Sequence, residues 1–513
     1  MIQVKVKKDA YYDSVFLMQV SQELNEIEGV TEAVVAMGTP HNKELLASRG
    51  FLDQALDCAS ANDLVVVVKG AGKGVFGRVW RRLEELLHPK CEAEETREFQ
   101  AGSLDGALQG ASGVNFALIS LPGAYAGVEA KKALARGLHV MVFSDNVSLE
   151  EEVELKKYAQ GKGLLLLGPD CGTAIIQGYP LGFANEVKRG NVGLVGAAGT
   201  GIQEVSTLID RLGGGISHAI GTGGRDLSEE VGGLTMLQGI AALAKDPFTK
   251  VLVVISKPPS DSVAKKVVFA LEASGKPAVV CFLGRSGGEE GKRVRFAETL
   301  EEAAFLAVVL GGGVSEQGKE DALGAKAAEE GKKLKEEQRY LRGLFSGGTL
   351  CAEALFLLSK KGITAWSNIH LDSKLKLVDL WKSRKHCLVD LGDDVFTVGR
   401  PHPMIDPTLR IERILREAED PETAVLLLDI VLGYGAHPDP GGVLIPSIAK
   451  AKHEVEKRGG YLSVVASVTG TDQDPQVYSL QKEKLEKAGV AILPSNAQAA
   501  LYAAMVLEKG QKI

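Results

Sequence analysis

Short apolar runs that alternate with amphipathic stretches recur along most of the chain. The clearest unit is residues 190–210, where a short apolar run is followed by a glycine-rich turn and then by apolar residues at helical spacing. This order predicts a buried strand, a tight turn and an amphipathic helix. Gly199 and Gly201 allow the backbone of the turn to come close to a ligand, and the helix start offers free N–H groups to an anion. Turns of this kind also occur only to close a βα unit, and that alternative stays open.

The same alternation predicts several α/β units joined in series. Parallel strands that alternate with helices of this length indicate doubly wound sheets, whose ligands lie beyond the carboxyl ends of the strands. The predicted boundaries are a small α+β domain at residues 1–105, α/β domains at 106–190, 191–313 and 341–513, and a linker with helical character, rich in Lys, Glu, Gly and Ala, at 314–340.

Composition and charge narrow the classes of protein. The chain has 513 residues, 45% of them hydrophobic and 24% charged, with a formal net charge of −7. This balance argues against a nucleic-acid partner or an anionic membrane surface. No apolar run approaches the ~18–20 residues of a membrane span, and no signal peptide is recognisable. The six cysteines are widely spaced, which is typical of reduced thiols in a cytoplasmic protein.

Candidate binding residues lie in the polar loops after the predicted strands. A second helix start is predicted at Asp406, an N-cap residue followed by proline. Arginine and lysine side chains in these loops suit carboxylates and phosphates, although each could equally form a surface ion pair. The predicted anion-binding residues are Gly199, Thr200, Gly201, Gly223, Gly224, Arg225, Asp406, Thr408 and Arg410, and the further candidate cations are Lys257, Arg285 and Arg400.

Few side chains are candidates for proton transfer or nucleophilic attack. His402 and His437 lie in such loops and could act as general acid or base, or they could serve only turn packing and a solvated loop. Cys171 follows a strand and could be a nucleophile, but no histidine lies near it in sequence, which favours a packed thiol. Aspartates at several strand ends show no fixed ligand spacing, so no metal site is predicted.

Several motifs resemble a known family. Residues 167–172, 192–200 and 221–224 resemble the ligase half of the succinyl-CoA synthetase α subunit, and the segments around Asp390 and Asp429 resemble the carboxyl domain of its β subunit. The complete order, with the long string at residues 399–410, is similar to the FdrA family. That resemblance implies a CoA-binding-like Rossmann domain at 106–190 and two flavodoxin-like ligase domains at 191–313 and 341–513. It also implies a cofactor site at Pro169, Asp170 and Cys171, where CoA or a nucleotide stays open and no cofactor is assigned.

Members of the FdrA family are labelled acyl-CoA synthetase, and some are linked to oxamate carbamoyltransferase, which works with further subunits in allantoin breakdown. Succinyl-CoA synthetase carries a phosphorylated histidine that this sequence lacks, because no histidine occurs between His218 and His370. Lys257 stands where the synthetase has a glutamate, and the ATP-grasp half has no counterpart. These departures disfavour a self-contained, ATP-driven CoA ligase.

The sequence therefore leads to one preferred hypothesis and two alternatives. A phosphate cradle between the helix starts at 199–201 and Thr408 would serve carbamoyl transfer from oxalurate to phosphate, with His402, Lys257 and Arg400 as candidate catalytic residues. The alternatives are an acyl-CoA synthetase of the ADP-forming type and a non-catalytic scaffold subunit. The expected partners are a small anionic substrate, phosphate, further protein subunits and a homo-oligomer.

Overall fold

The computed structural model describes residues 1–8, 10, 12, 14–51, 53–60, 62–87, 101–285, 291–313, 321–397 and 401–510. The chain divides into two compact units, Met1–Asn115 with Thr397–Pro401, and Phe116–Phe396 with His402–Ile513. The predicted class is confirmed: a small α+β unit lies at the N-terminus and parallel-sheet α/β domains follow it. No helix in the described ranges is long and apolar enough to cross a membrane.

The N-terminal unit is built on an antiparallel sheet of three strands in the order β1-β3-β2. Its central strand is buried at six of seven positions, because helices cover it and strands flank it. Leu17, Val20, Phe76 and Val79 pack against the sheet from two helices. The elements are β1 (Ile2–Lys7), α1 (Ser14–Asn25), β2 (Val30–Met37), α2 (Pro40–Ser48), α3 (Gln54–Asp57), β3 (Leu64–Gly70), α4 (Lys73–Leu87) and α5 (Leu104–Gly110).

The second unit begins with a parallel sheet of three strands in the order β4-β5-β6. Its elements are β4 (Phe116–Ile119), α6 (Gly123–Ala135), β5 (His139–Val142), α7 (Leu149–Gly161) and β6 (Leu166–Leu167). The hairpin of β7 (Thr173–Ile176) and β8 (Tyr179–Gly182) follows in sequence but pairs with the next sheet. The last strand of the first sheet is therefore β6, which ends well before residue 190, the predicted boundary of this domain.

The second sheet has seven strands in the order β13-β12-β11-β9-β10-β7-β8 and is parallel except for the hairpin. Its remaining elements are β9 (Arg189–Ala197), α8 (Gly199–Arg211), β10 (Ile216–Gly221), α9 (Leu234–Lys245), β11 (Val251–Ser256), α10 (Asp261–Ala273), β12 (Ala278–Phe282), β13 (Val294–Phe296) and α11 (Leu300–Leu310). All six residues of β11 are buried, as expected for a parallel strand covered by helices on both faces.

The third sheet has five parallel strands in the order β15-β14-β16-β17-β18. Helix α12 (Asp321–Gly331) precedes it, and Ala327 is fully buried, so this part of the predicted linker packs into the fold. The elements that follow are β14 (Tyr340–Phe345), α13 (Gly348–Lys360), β15 (Cys387–Asp390), α14 (Asp394–Thr397), α15 (Thr408–Glu419), β16 (Thr423–Val431), α16 (Ile445–Lys457), β17 (Ser463–Thr469), α17 (Tyr478–Lys487), β18 (Ala491–Leu493) and α18 (Asn496–Gly510).

A buried ion cluster ties the first sheet to the second. Lys156, on α7, has no exposed side-chain surface and forms ion pairs with Glu152 at 2.9 Å and Asp226 at 2.7 Å. Asp226 also accepts hydrogen bonds from the N–H groups of Thr235 and Met236, at the start of α9. A buried lysine is tolerated here because two carboxylates compensate its charge.

Helix α8 is the centre of the larger unit. Every residue from Thr200 to Asp210 is buried, although the sequence predicts one polar face. That face meets the third sheet and its loops instead of water. Gln203 Nε2 donates to Asn185 Oδ1 at 3.1 Å and to the Leu432 carbonyl at 3.3 Å. The polar residues of α8 therefore hold two α/β domains together.

A sequence repeat explains how the two domains are joined. Both α8 and α13 begin with Gly-Thr and carry a glutamate four residues after the threonine, Glu204 and Glu353. Glu204 accepts the backbone N–H of Asn496, which opens α18 in the other domain, and Glu353 accepts the N–H of Leu300, which opens α11. Each first helix therefore caps the last helix of the opposite domain, which satisfies N–H groups that a helix start leaves free.

The shared glutamates make the stability of this interface depend on pH. Burial raises the pKa of Glu353 to about 8, and burial also raises the pKa values of Glu204 and Glu301 nearby. The folded chain therefore holds more protons than the unfolded chain between the ordinary glutamate value of 4.5 and about pH 8. In that window the free energy of unfolding falls as the pH rises.

We expect the midpoint of thermal unfolding to fall between about pH 5 and about pH 8, and the fall to be smaller in Glu353→Gln, because an amide cannot ionise. Differential scanning calorimetry at several pH values measures it. Glu336→Gln removes an exposed glutamate and should keep the wild-type pH dependence. An equal fall in the wild type and in Glu353→Gln would contradict the assignment.

Candidate functional site

Helices α8 and α13 of the larger unit are among those that begin without a side-chain cap. Helix α8 begins after Ala198 and α13 begins after Gly347, and neither N-cap residue provides a side chain that accepts a hydrogen bond from the helix. Each follows the carboxyl end of a central parallel strand, β9 or β14. The first N–H groups of both helices are therefore available to an external acceptor, and both helix dipoles present their positive end there.

The two helix starts touch one another. A Cβ atom at Gly201 would lie 2.9 Å from Cγ2 of Thr349, and a Cβ atom at Gly347 would lie 2.9 Å from Cγ2 of Thr200. Such distances are too short for carbon atoms, so glycine is required at both positions. The threonines and glycines of the two turns interlock, which brings the two helix starts into contact.

Lys257 brings a positive charge to the same place. It follows β11, and its Nζ lies 3.4 Å from the position that a Cβ of Gly348 would take. Within the described part of the chain Lys257 makes no hydrogen bond or ion pair. A lysine beside the start of α13 that forms no ion pair within 4 Å among the described residues favours binding of an anion, although the Asp390 carboxyl group lies close to the same glycine.

Asp390, at the end of β15, faces the start of α13 from the other side. Its Oδ2 lies so close to Gly348 that a Cβ there would collide with it, and its Oδ1 accepts the N–H of Gly392 at 3.0 Å. Asn368 fixes the backbone of Asp390 through two hydrogen bonds of 2.9 Å. Burial raises the pKa of Asp390 to about 7, although Lys257 acts in the opposite direction.

His402 lies next to Asp390 and is neutral. Its Nδ1 accepts the N–H of Met404 at 3.2 Å, so in the neutral ring Nε2 carries the proton. Nε2 lies 2.5 Å from the position that a Cβ of Gly392 would take, and the ring packs against Phe183 with centroids 5.8 Å apart. Burial lowers the pKa of His402 to about 4. The ring therefore suits a hydrogen-bond donor through Nε2–H better than a general base at neutral pH.

Asp170 is exposed and lies among charged side chains of both signs. Desolvation raises its pKa to about 7. Asp145 and Asp394 raise this pKa further, while Lys257 and Arg225 lower it. A carboxyl group whose pKa is shifted by desolvation and by specific charged neighbours is a feature of functional sites. Asp170 and Lys257, both predicted from the sequence, are therefore close enough to interact electrostatically.

The predicted loop at Gly223, Gly224 and Arg225 packs on the Asp170 loop. Gly223 has φ of +86°, and a Cβ there would strike the carbonyl oxygen of Pro169. The guanidinium of Arg225 donates to the Val147 carbonyl at 2.8 Å and pairs with Glu152 at 2.9 Å. These partners hold the Arg225 guanidinium against α7 and the loop that precedes it.

The predicted helix start at residues 406–408 is occupied by its own side chain. Asp406 Oδ1 accepts the N–H of Thr408 at 2.9 Å and its hydroxyl at 2.6 Å. Arg410 is buried, donating to Asp429 Oδ1 at 2.7 Å and to the Leu344 carbonyl at 3.2 Å. Asp429 in turn accepts the N–H groups of Ser346 and Gly347. Arg410 therefore supports the α13 turn from inside the fold.

The structure describes Cys171 but not Arg400, two further residues predicted from the sequence. Cys171 is buried, and burial raises the pKa of its thiol to about 12, which disfavours a thiolate nucleophile. Arg400 lies outside the described residues. No group of three or more His, Cys, Asp or Glu side chains in the described ranges is arranged to hold a metal ion.

Sequence reasoning missed Gly348, Thr349 and Asp390 as site residues. The signal that could have found them is the repeated Gly-Thr pair followed by glutamate, which marks α8 and α13 as equivalent helices. Asp390 carries no such signal, because its importance comes from the approach of Gly348, a residue more than 40 positions away.

Comparison with known families identifies three segments. A model described as CoA-ligase matches residues 344–506, one described as CoA binding domain matches residues 187–284, and one described as AllF, heavy metal-associated domain, matches residues 1–102. These matches fall on the third sheet, the second sheet and the N-terminal unit.

Comparison with individual proteins gives relatives of two kinds. YahF of Escherichia coli (strain K12) is 44% identical over 515 aligned residues, which cover 100% of this chain and 99% of YahF. The succinate–CoA ligase [ADP-forming] subunit alpha of Staphylococcus epidermidis is 27% identical, over 36% of this chain and 61% of that subunit. The ADP-forming sulfoacetate-CoA ligase subunit SauD of Bilophila wadsworthia is 27% identical, over 37% and 64%.

Among solved structures, a dinucleotide-forming acetyl-coenzyme A synthetase 1 from Ca. Korarchaeum cryptofilum, in complex with phosphate and ADP, matches 77% of this chain and 82% of its own chain, with 16% identity and a TM-score of 0.29. The full-length identity to YahF leads to one conclusion, together with the CoA-ligase segment and the CoA binding domain segment. This protein belongs to the FdrA family, within the succinyl-CoA synthetase-like CoA ligases.

Proposed function

We propose that this protein is the subunit of a phosphate-dependent carbamoyltransferase that binds phosphate, and that its reaction converts oxalurate and phosphate into oxamate and carbamoyl phosphate. The observation that carries the proposal is the meeting of two uncapped helix starts beside Lys257. That arrangement suits a tetrahedral anion, while the segment between His218 and His370 contains no histidine that could be phosphorylated.

The phosphate would be bound by backbone N–H groups at Gly199–Gly201 and at Gly348 and Thr349. Lys257 would offset its charge, and the hydroxyl groups of Thr200 and Thr349 lie at the same turns. Compared with the sequence-based hypothesis, the start of α13 takes the place of the Thr408 turn, because Asp406 already fills that turn. Donors fixed in advance cost no reorganisation during the reaction.

The chemical step forms one bond and breaks one. A phosphate oxygen attacks the ureido carbonyl carbon of oxalurate, the bond from that carbon to the oxamate nitrogen breaks, and the proton of the hydrogen phosphate passes to the departing nitrogen. Atoms and charge balance without ATP. His402, through Nε2–H, would polarise the carbonyl. Its low pKa favours this role over the general acid or base role predicted from sequence.

The competing function is that of an acyl-CoA ligase of the ADP-forming type, and the CoA-binding and CoA-ligase matches favour it. The two functions differ in their cosubstrates. The complex purified with its partner subunits should release oxamate from oxalurate only when phosphate is present. Formation of a thioester that depends on ATP and CoA, without oxamate release, would replace the proposal. A scaffold would show neither activity.

Lys257→Met should lower kcat/KM of the purified complex for phosphate by roughly 10²- to 10³-fold, as expected when one charge-stabilising donor is lost. A steady-state assay of oxamate release with phosphate varied measures it. Lys266→Met removes an exposed lysine of α10 and should behave like the wild type. Unchanged kinetics of Lys257→Met would place the anion elsewhere.

His402→Gln should retain more activity than His402→Ala, because glutamine can still donate a hydrogen bond while alanine cannot. The pH–rate profile supplies a second readout. Since burial lowers the pKa of His402 to about 4, its ionisation should leave kcat unaffected between about pH 6 and about pH 8. A general base at His402 would give a different result. Both variants would then be equally impaired, and the wild-type profile would show an ionisation near pH 6.5 that is absent from the residual activity of both.

A further inference from the structure

Asp390 points at the place where the anion is proposed to bind. Only 5% of the residue is exposed, and its Oδ1 is held by the N–H of Gly392. Oδ2 faces the first residue of α13, Gly348, and accepts no hydrogen bond from the residues that the structure describes. Asn368 prevents the backbone from withdrawing. A carboxyl oxygen that accepts no hydrogen bond from the described residues is therefore fixed at the start of α13, on a residue that is almost entirely buried.

This placement creates an electrostatic conflict. The helix starts and Lys257 attract an anion, but an ionised carboxylate at Asp390 repels one at close range. A carboxyl group that carries a proton has the opposite effect, because its O–H can donate a hydrogen bond to an anion. The protonation state of Asp390 should therefore control the affinity of the site.

We propose that Asp390 takes up one proton from solvent when a doubly charged tetrahedral oxyanion binds at the starts of α8 and α13, and that its carboxyl then donates a hydrogen bond to that anion. The ligand class is inorganic phosphate or the phosphoryl group of a mixed anhydride. The inference rests on the proposed anion site and adds a proton-linked binding residue to it.

The charged and titratable groups around Asp390 support this assignment. Lys257 faces it from β11, Asp429 from β16, Asp393 and His402 from the neighbouring loops, and Cys351 from α13. Asp429 is paired with Arg410. The pKa of His402 lies near 4, and burial raises the pKa of Cys351 well above its usual range. Asp390 itself, with a pKa of about 7, changes charge in the neutral range.

The binding of sulfate tests the proposal, because sulfate is tetrahedral and keeps its two charges across the neutral range. Isothermal titration calorimetry on the full chain, from about pH 6 to about pH 9, should show that each pH unit above the pKa of Asp390 weakens sulfate binding about tenfold. In Asp390→Asn, which is permanently neutral and still carries a donor, this loss should be absent. Asp170 titrates in the same range, so the measured quantity is the difference between wild type and variant.

Asp393→Asn is the matched control. It removes the same charge three residues away and should keep the tenfold weakening per pH unit, although the weakening should begin at a lower pH because Asp393 raises the pKa of Asp390. An equal pH dependence in Asp390→Asn would overturn the inference and leave the anion site intact. Failure of the wild type to bind sulfate at about pH 6 would remove the anion site and, with it, the proposed function.

A second measurement needs no variant and so remains decisive if Asp390→Asn does not fold. Sulfate titrations of the wild type at about pH 8, in two buffers with different ionisation enthalpies, report the number of protons taken up. Uptake approaching one proton per sulfate supports the proposal. Uptake of none contradicts it.

Discussion

The larger unit depends on the meeting of two helix N-termini. The positive ends of α8 and α13 touch through Gly201, Thr349, Gly347 and Thr200, in an interior where charges are weakly screened. Two like dipole ends at contact repel one another. The fold compensates with carboxylates: Asp429 accepts N–H groups at the α13 turn, and an anion in front of both helices would complete the compensation.

The same contact explains why the domains are joined so tightly. Glu204 and Glu353 leave the touching helices at equivalent positions and cap the last helix of the opposite domain. Any movement that separates the helix starts would also uncap α18 and α11. The geometry of the proposed anion site therefore depends on the same contacts as the stability of the interface, and substitutions at the glycines should disturb both.

Much of this arrangement was predictable from short-range patterns. The strand, turn and helix of residues 190–210, the parallel sheets and the position of Lys257 directly after a strand follow from periodicity and from loop composition. The pairing of the two helix starts could not be predicted from these patterns. A glycine turn indicates that an anion can bind, but it does not indicate which other turn lies opposite. Asp406 was recognised as an N-cap, yet its consequence, that the Thr408 turn is already satisfied, becomes clear from the hydrogen bonds. Likewise Arg410 of α15, predicted to bind an anion, is buried against Asp429, a residue of β16.

The location of a heavy tetrahedral anion tests the central claim most directly. Crystals of the full chain soaked with tungstate give an anomalous signal that marks the anion without assumptions about the reaction. The account predicts a peak within hydrogen-bonding distance of the N–H groups of Gly201 and Thr349, next to Lys257. A peak at the Thr408 turn, or an empty map between α8 and α13 while tungstate is bound elsewhere, would contradict it.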